Sequence, residues 1–102
     1  MSEMQLQRLI LETLTRLGCT VWKNQSGLAR GRVGLIHMAP KGSPDIVGFT
    51  RVGTFLGIEV KLPGGRLTDE QMAWQSRMRA AGCLCGVARS VEDALAIAEV
   101  GR

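Results

Sequence analysis

Apolar residues along this chain follow two different periods. Leu6, Leu9, Ile10, Leu14 and Leu17 recur at the spacing of one helix face. Ser2-Glu3-Met4-Gln5 supplies the residues of a capping box at the start of that helix, and Gly18 a natural stop. A first strand is expected from about Thr20 to Asn24. The apolar segments 43–49 and 55–61, joined by the turn Arg51-Val52-Gly53-Thr54, read as a hairpin. A loop, Leu62-Pro63-Gly64-Gly65, follows. Thr68-Asp69-Glu70-Gln71 again has capping-box residues, opening a helix through Met72, Trp74, Gln75 and Met78 to Ala81, before Gly82. Trp74 and Met78, four apart, read as core rather than as a stacking platform. Leu84–Ala88 is expected as a fourth strand. Ser90-Val91-Glu92-Asp93 starts a last helix with Val91, Ala94, Leu95 and Ala98 on one side. The order is helix, three strands, helix, strand, helix: an α/β domain with a mixed sheet, spanning residues 1–102 as one unit.

One strand breaks the apolar pattern in an informative way. In Phe55-Leu56-Gly57-Ile58-Glu59-Val60-Lys61, side chains alternate between faces, so Glu59 and Lys61 share one face. Leu56, Ile58, Val60 and Leu62 share the other and read as core. Asp45, in Ser43-Pro44-Asp45-Ile46-Val47-Gly48-Phe49, begins the preceding strand. Burying charge is costly unless it is paired or bound to metal. A Glu-x-Lys triplet alone is more often a surface ion pair. The combination of Pro-Asp, apolar strand, short turn and a second apolar strand carrying Glu-x-Lys is what points to a site. Two carboxylates suit Mg²⁺, a hard cation that takes oxygen ligands. Asp45, Glu59 and the Val60 carbonyl are the candidate ligands, and Mn²⁺ accepts the same oxygens. Lys61 suits the steadying of an attacking hydroxide or of phosphate charge.

These residues resemble the PD-(D/E)xK nuclease motif. Gly42-Ser43-Pro44-Asp45-Ile46-Val47-Gly48, Gly57-Ile58-Glu59-Val60-Lys61 and Gly65-Arg66-Leu67-Thr68-Asp69-Glu70-Gln71 are similar to the VRR-NUC branch, as is the early Val21-Trp22-Lys23-Asn24. The resemblance covers nearly the whole chain. It implies a restriction-endonuclease-like fold with an αβββαβ core and a stand-alone domain of the phage-encoded type. It also implies metal ligands at Asp45 and Glu59, a catalytic lysine at Lys61, and a glutamine at Gln71 that helps position water, metal or phosphate. An acidic residue of the first helix would complete the site: Glu3, with Glu12 as the alternative. Gln71 has a competing explanation as a helix cap. The implied products are 5′-phosphate and 3′-hydroxyl ends. The implied substrate is branched DNA such as four-way (Holliday) junctions.

Residues 25–43 contain Gly27, Gly31, Gly34 and Gly42 together with Arg30, Arg32, His37 and Lys41, and no acidic residue. A long Gly-rich loop in so small a domain is often functional, and these basic side chains are expected to contact DNA phosphates. Leu35, Ile36 and Met38 are expected either to form a short strand within it or to pack on a partner subunit. The net charge of +4, from 13 Lys and Arg against 9 Asp and Glu, favours a polyanionic partner without requiring one.

Composition narrows the rest. Hydrophobic content of 45% and charged content of 22% are ordinary for a globular domain. No apolar run approaches the ~20 residues that span a bilayer, and the N-terminus lacks a signal-peptide pattern. A cytoplasmic protein is expected, in the host cytoplasm if phage-encoded. Cys19, Cys83 and Cys85 are odd in number and lack zinc-ligand spacing, so reduced, buried thiols are expected.

The sequence therefore reads as a Mg²⁺- or Mn²⁺-dependent endodeoxyribonuclease. Coordinated cutting of two strands is easiest with two centres, so a homodimer is expected. Three alternatives remain at this stage. One is an inactive nucleic-acid-binding module of the same fold. Another is a component that needs a partner for activity. The third is a sequence-specific restriction-type nuclease, for which little recognition material exists beyond residues 25–43.

Overall fold

The computed structural model describes residues 1–25, 28–31, 34–37 and 39–100, the strands between 28 and 37 by their backbone. Helix α1 (Glu3–Arg16) is followed by strands β1 (Thr20–Lys23), β2 (Leu28–Gly31), β3 (Gly34–His37), β4 (Ile46–Phe49) and β5 (Phe55–Val60). Helix α2 (Asp69–Ala80), strand β6 (Leu84–Ala88) and helix α3 (Val91–Ile97) complete the chain. Four strands form one sheet in the order β1-β4-β5-β6, antiparallel except for the parallel β5–β6 pair. It is the expected mixed sheet with flanking helices.

Segment 25–43 departs from expectation. It carries an antiparallel hairpin, β2–β3, as a separate two-stranded sheet rather than a loop with one short strand. Leu35 and Ile36 lie in β3 as expected, and Met38 is outside the described residues. Gly-rich sequence with little periodicity hides such a hairpin, because its pairing is made by backbone groups.

The sheet has two dissimilar faces. Ile46, Leu56, Ile58 and Val60 point to one side and are fully buried under α1 and α3, with Leu6, Ile10, Leu14, Ala94 and Ala98. Leu9 and Leu17 stay exposed, so the buried stripe of α1 is narrower than the sequence spacing implies. The other face carries a row, Trp22, Val47, Gly57 and Cys85, across all four strands. Helix α2 lies over the β5–β6 half of it. A side chain at Gly57 would run into Met78 and the Pro44 ring, so the missing Cβ is what lets helix and loop approach the strand there.

Both predicted capping boxes form. The Ser2 and Thr68 hydroxyls accept from the amides of Gln5 and Gln71, whose side-chain oxygens accept from the Ser2 and Thr68 amides in return. The cap fixes where α2 begins, and hence where its first turn stands above β5.

Candidate active site

The site lies at one end of the α2-covered face. The β4–β5 register pairs Ile46 with Ile58, and one further step sets Asp45 opposite Glu59. Asp45 Oδ2 accepts a hydrogen bond of 2.8 Å from the Val60 amide. In an extended residue N–H and C=O project to the same side, so the Val60 carbonyl also faces toward Asp45. Lys61 follows directly, its amide held at 3.1 Å by the Ala88 carbonyl, which extends the β5–β6 pairing past the strand end.

Glu59 is the unusual group. It is 1% exposed, and its carboxyl is pushed up from 4.5 to about 9. Burial is the largest cause, followed by a hydrogen bond to Asp45 and the like charge of Asp45. Lys61 opposes the shift, and Glu3 adds to it from α1. Gln71 Nε2 donates to Glu59 Oε1 at 3.2 Å, while Glu59 Oε2 is buried and accepts from no donor among the described residues. Burial and the neighbouring Asp45 charge disfavour the ionised form of Glu59 unless a cation offsets them.

That donor set fits a divalent ion. Mg²⁺ needs one or two carboxylates, with water and phosphate filling its other positions. The orphaned Glu59 oxygen beside the Asp45 carboxylate is the position such an ion would satisfy. Among the described residues no group of three His, Cys, Asp or Glu side chains is clustered for metal binding. Glu3 acts on Glu59 electrostatically from the start of α1. Glu12 is exposed on α1 and is not among the groups that shift Glu59.

Gln71 both caps α2 and reaches Glu59. Its oxygen accepts from the Thr68 amide at 2.8 Å while its nitrogen holds Glu59. Lys41 is drawn to α2 instead of standing free: its Nζ lies 3.4 Å from Glu70 Oε1, and its carbonyl accepts from Trp74 Nε1 at 3.1 Å. Trp74 is half-buried with the Arg77 guanidinium 4.5 Å from its ring centre, whereas Met78 is buried as expected. The side chains of Arg30 and His37, and all of Arg32, lie outside the described residues. The three cysteines are unpaired; Cys19 is buried, and Cys83 and Cys85 are half-buried. Burial raises the Cys19 and Cys85 thiols above their ordinary value.

Sequence reasoning missed two residues that hold Asp45 in place. Asn24 Nδ2 donates to Ser43 Oγ at 2.9 Å and to the Pro44 carbonyl at 3.0 Å, and the Asn24 amide donates to the Asp45 carbonyl at 2.7 Å. Ser43, 7% exposed, donates in turn to the Pro40 carbonyl at 2.6 Å. An Asn ending one strand and a Ser-Pro entering the next are turn-fixing residues, which is the signal that would have flagged them.

The model of the VRR-NUC domain family matches residues 36–92. That is more than half of the chain and includes Asp45, Glu59, Lys61 and Gln71. The chain belongs to the VRR-NUC domain family, whose fold is of the nuclease type. A solved structure described as a VRR_NUC domain is similar over 98% of this chain and 97% of that one, with a TM-score of 0.71 and 24% identity. At that identity the likeness speaks for the fold. No curated protein matches the chain.

Proposed function

We propose that this protein is a divalent-metal-dependent endodeoxyribonuclease. The observation that carries this reading is the juxtaposition of Asp45 and Glu59, with one Glu59 oxygen buried and unpartnered beside a like charge. Asp45, Glu59 and the Val60 carbonyl would hold Mg²⁺, with Mn²⁺ able to substitute. Such an ion would polarise the phosphodiester and acidify water at neutral pH.

The chain's own groups do the rest. Lys61, whose charge already acts on Glu59, would steady the attacking oxygen and the negative charge gathering on the phosphate. Gln71 orients the Glu59 carboxylate from above, and Asn24 with Ser43 fixes the approach of Asp45. Glu3 adds negative field that favours a bound cation. The products would be 5′-phosphate and 3′-hydroxyl ends.

Branched DNA is the proposed substrate, and a homodimer the proposed form. Arg30, Arg32, His37 and Lys41 would supply phosphate contacts from segment 25–43. The dimer has a structural argument of its own. Trp22, Phe49 and Phe55 share a face by register, on β1, β4 and the first residue of β5. They are 50%, 45% and 46% exposed. An exposed aromatic patch on a sheet bounded by an edge strand supports coverage by a second copy. Among the described residues no helix is long and apolar enough to cross a membrane. A cytoplasmic site of action suits a DNA substrate.

The decisive experiment incubates purified protein with four-way junctions, flaps, single strands and duplex, with and without Mg²⁺ or Mn²⁺, and maps the ends. Junction cleavage that requires the metal and leaves 5′-phosphates is expected. Cleavage that survives strict chelation would sink the metal reading.

A further inference from the structure

Gln75 is 5% exposed, and among the described residues neither its Nε2 nor its Oε1 has a hydrogen-bond partner. Leaving buried amide atoms unpaired is costly, so a polar residue kept there needs a reason. Its location supplies one. Gln71, Gln75 and Met78 fall on one face of α2. Gln71 reaches Glu59 and Met78 packs at Gly57. Glu59 and Gly57 are two residues apart on one face of β5, about 6.6 Å, and Gln75 lies on the helix between the residues that meet them. Cys85, which pairs with Gly57, donates from Sγ to the Gln75 carbonyl at 3.6 Å and anchors the helix at that point. Gln75 and Glu59 Oε2 are thus buried, unsatisfied polar groups in one helix–sheet layer.

We propose that Gln75 is a positioning residue for Glu59, acting through one ordered water. Gln75 Nε2 donates to the water, and the water donates to Glu59 Oε2. Gln71 holds the other oxygen, so two glutamines one turn apart fix both ends of the same carboxylate. A carboxylate oxygen has lone pairs for both a water and a cation, so this arrangement leaves the metal position open. Buried waters serve otherwise unsatisfied groups of this kind, and hydrogen bonds to a ligating carboxylate typically set metal affinity within 10–100-fold. The inference rests on the assignment of Glu59 as a metal ligand for its consequence, but not for the water contact itself.

Two measurements decide it. In the metal-free protein, NMR cross-relaxation between the Gln75 side-chain amide protons and a long-lived water is expected; its absence overturns the proposal whatever the metal does. Calorimetric Mn²⁺ titration of Gln75→Leu and Gln75→Met is then compared with the unmodified protein and with Asp45→Ala. Binding roughly 10–100-fold weaker in both Gln75 variants, with an unchanged or higher melting temperature, is expected. Leucine and methionine fill the glutamine's buried volume without leaving an amide unpaired, so unchanged Mn²⁺ affinity in those variants overturns the proposal. Absence of Mn²⁺ binding by the unmodified protein instead defeats the metal reading, and the water contact then decides alone.

Discussion

The Val60 amide donates to Asp45 Oδ2 at 2.8 Å, so the residue beside one carboxylate holds the other. Asp45 thereby has two separable duties: acceptor for the backbone and negative charge toward Glu59. Asp45→Asn keeps an acceptor oxygen and removes the charge. The fold should survive with a melting temperature near that of the unmodified protein. Cleavage should fall about 10²–10³-fold, the rate equivalent of several kcal/mol of metal-derived stabilisation. Rates on a four-way junction, with circular dichroism as the folding control, test this; an Asn variant that cleaves normally would remove Asp45 from the site.

The raised Glu59 carboxyl makes the metal-free fold sensitive to pH. Its value is about 9 in the folded state against 4.5 as the ordinary carboxyl value, so the folded state holds the proton more tightly. The resulting stabilisation is complete below about 4.5 and is lost progressively as pH rises toward 9. Denaturant midpoints in chelator should decline across that window. Glu59→Gln should flatten the decline, and saturating Mn²⁺ should reverse it, because a bound cation favours the ionised form. A flat profile for the unmodified protein in chelator would mean that Glu59 is not held as described.

Gln71 offers a substitution that separates capping from site chemistry. Glutamate at this position also completes a capping box. Gln71→Glu therefore keeps the cap on Thr68 while replacing the donor to Glu59 with a third carboxylate. Thermal stability should change little, and cleavage should drop by at least ~10-fold. Thr68→Ala should do the reverse, costing about 1 kcal/mol of stability with a smaller effect on rate. Equal rates for Gln71→Glu and the unmodified protein would reduce Gln71 to a cap.

Asn24→Ala removes donors to Ser43 and to the Pro44 carbonyl. The half-buried Pro40–Pro44 turn would lose its tie to β1, at a cost of about 1–2 kcal/mol. Asp45 would also lose its fixed approach, so cleavage measured well below the melting temperature should fall more than the unfolded fraction explains. Kinetics and thermal melts on the same sample make the comparison; a rate loss that vanishes after correction for folding would make Asn24 purely structural.

What the sequence revealed, and what it concealed, divides along physical lines. Period-two alternation placed Glu59 and Lys61 opposite Ile58 and Val60, and the structure keeps that division. Ser2 and Thr68 marked the starts of α1 and α2, because a cap is a local bond between residues three apart. The β2–β3 hairpin was hidden, since glycine-rich strands carry little pattern. The Asn24 bonds span 19 and 20 residues, and no local rule reaches that far. Gln75 was readable only in part: a polar residue one turn after Gln71 and in line with Met78 shares the inward face of α2. Its burial required the packed helix.

The uncovered aromatic face gives a test of assembly that is independent of the metal. Trp22 pairs with Val47, and Phe49 with Phe55, so the exposed rings flank one apolar floor. Truncating an aromatic anchor in a buried interface costs about 2 kcal/mol or more, about 30-fold in the dimer dissociation constant. Trp22→Ser and Phe55→Ser should each shift light-scattering mass toward the 11.0 kDa monomer at micromolar concentration. Among the described residues neither side chain hydrogen-bonds to Asp45 or Glu59, so each variant should retain Mn²⁺ binding and single nicks. Paired incisions across a junction should become uncoordinated, because each centre would then act alone. A monomeric unmodified protein that still resolves junctions symmetrically would refute the dimer, and normal dimers of both serine variants would move the interface elsewhere.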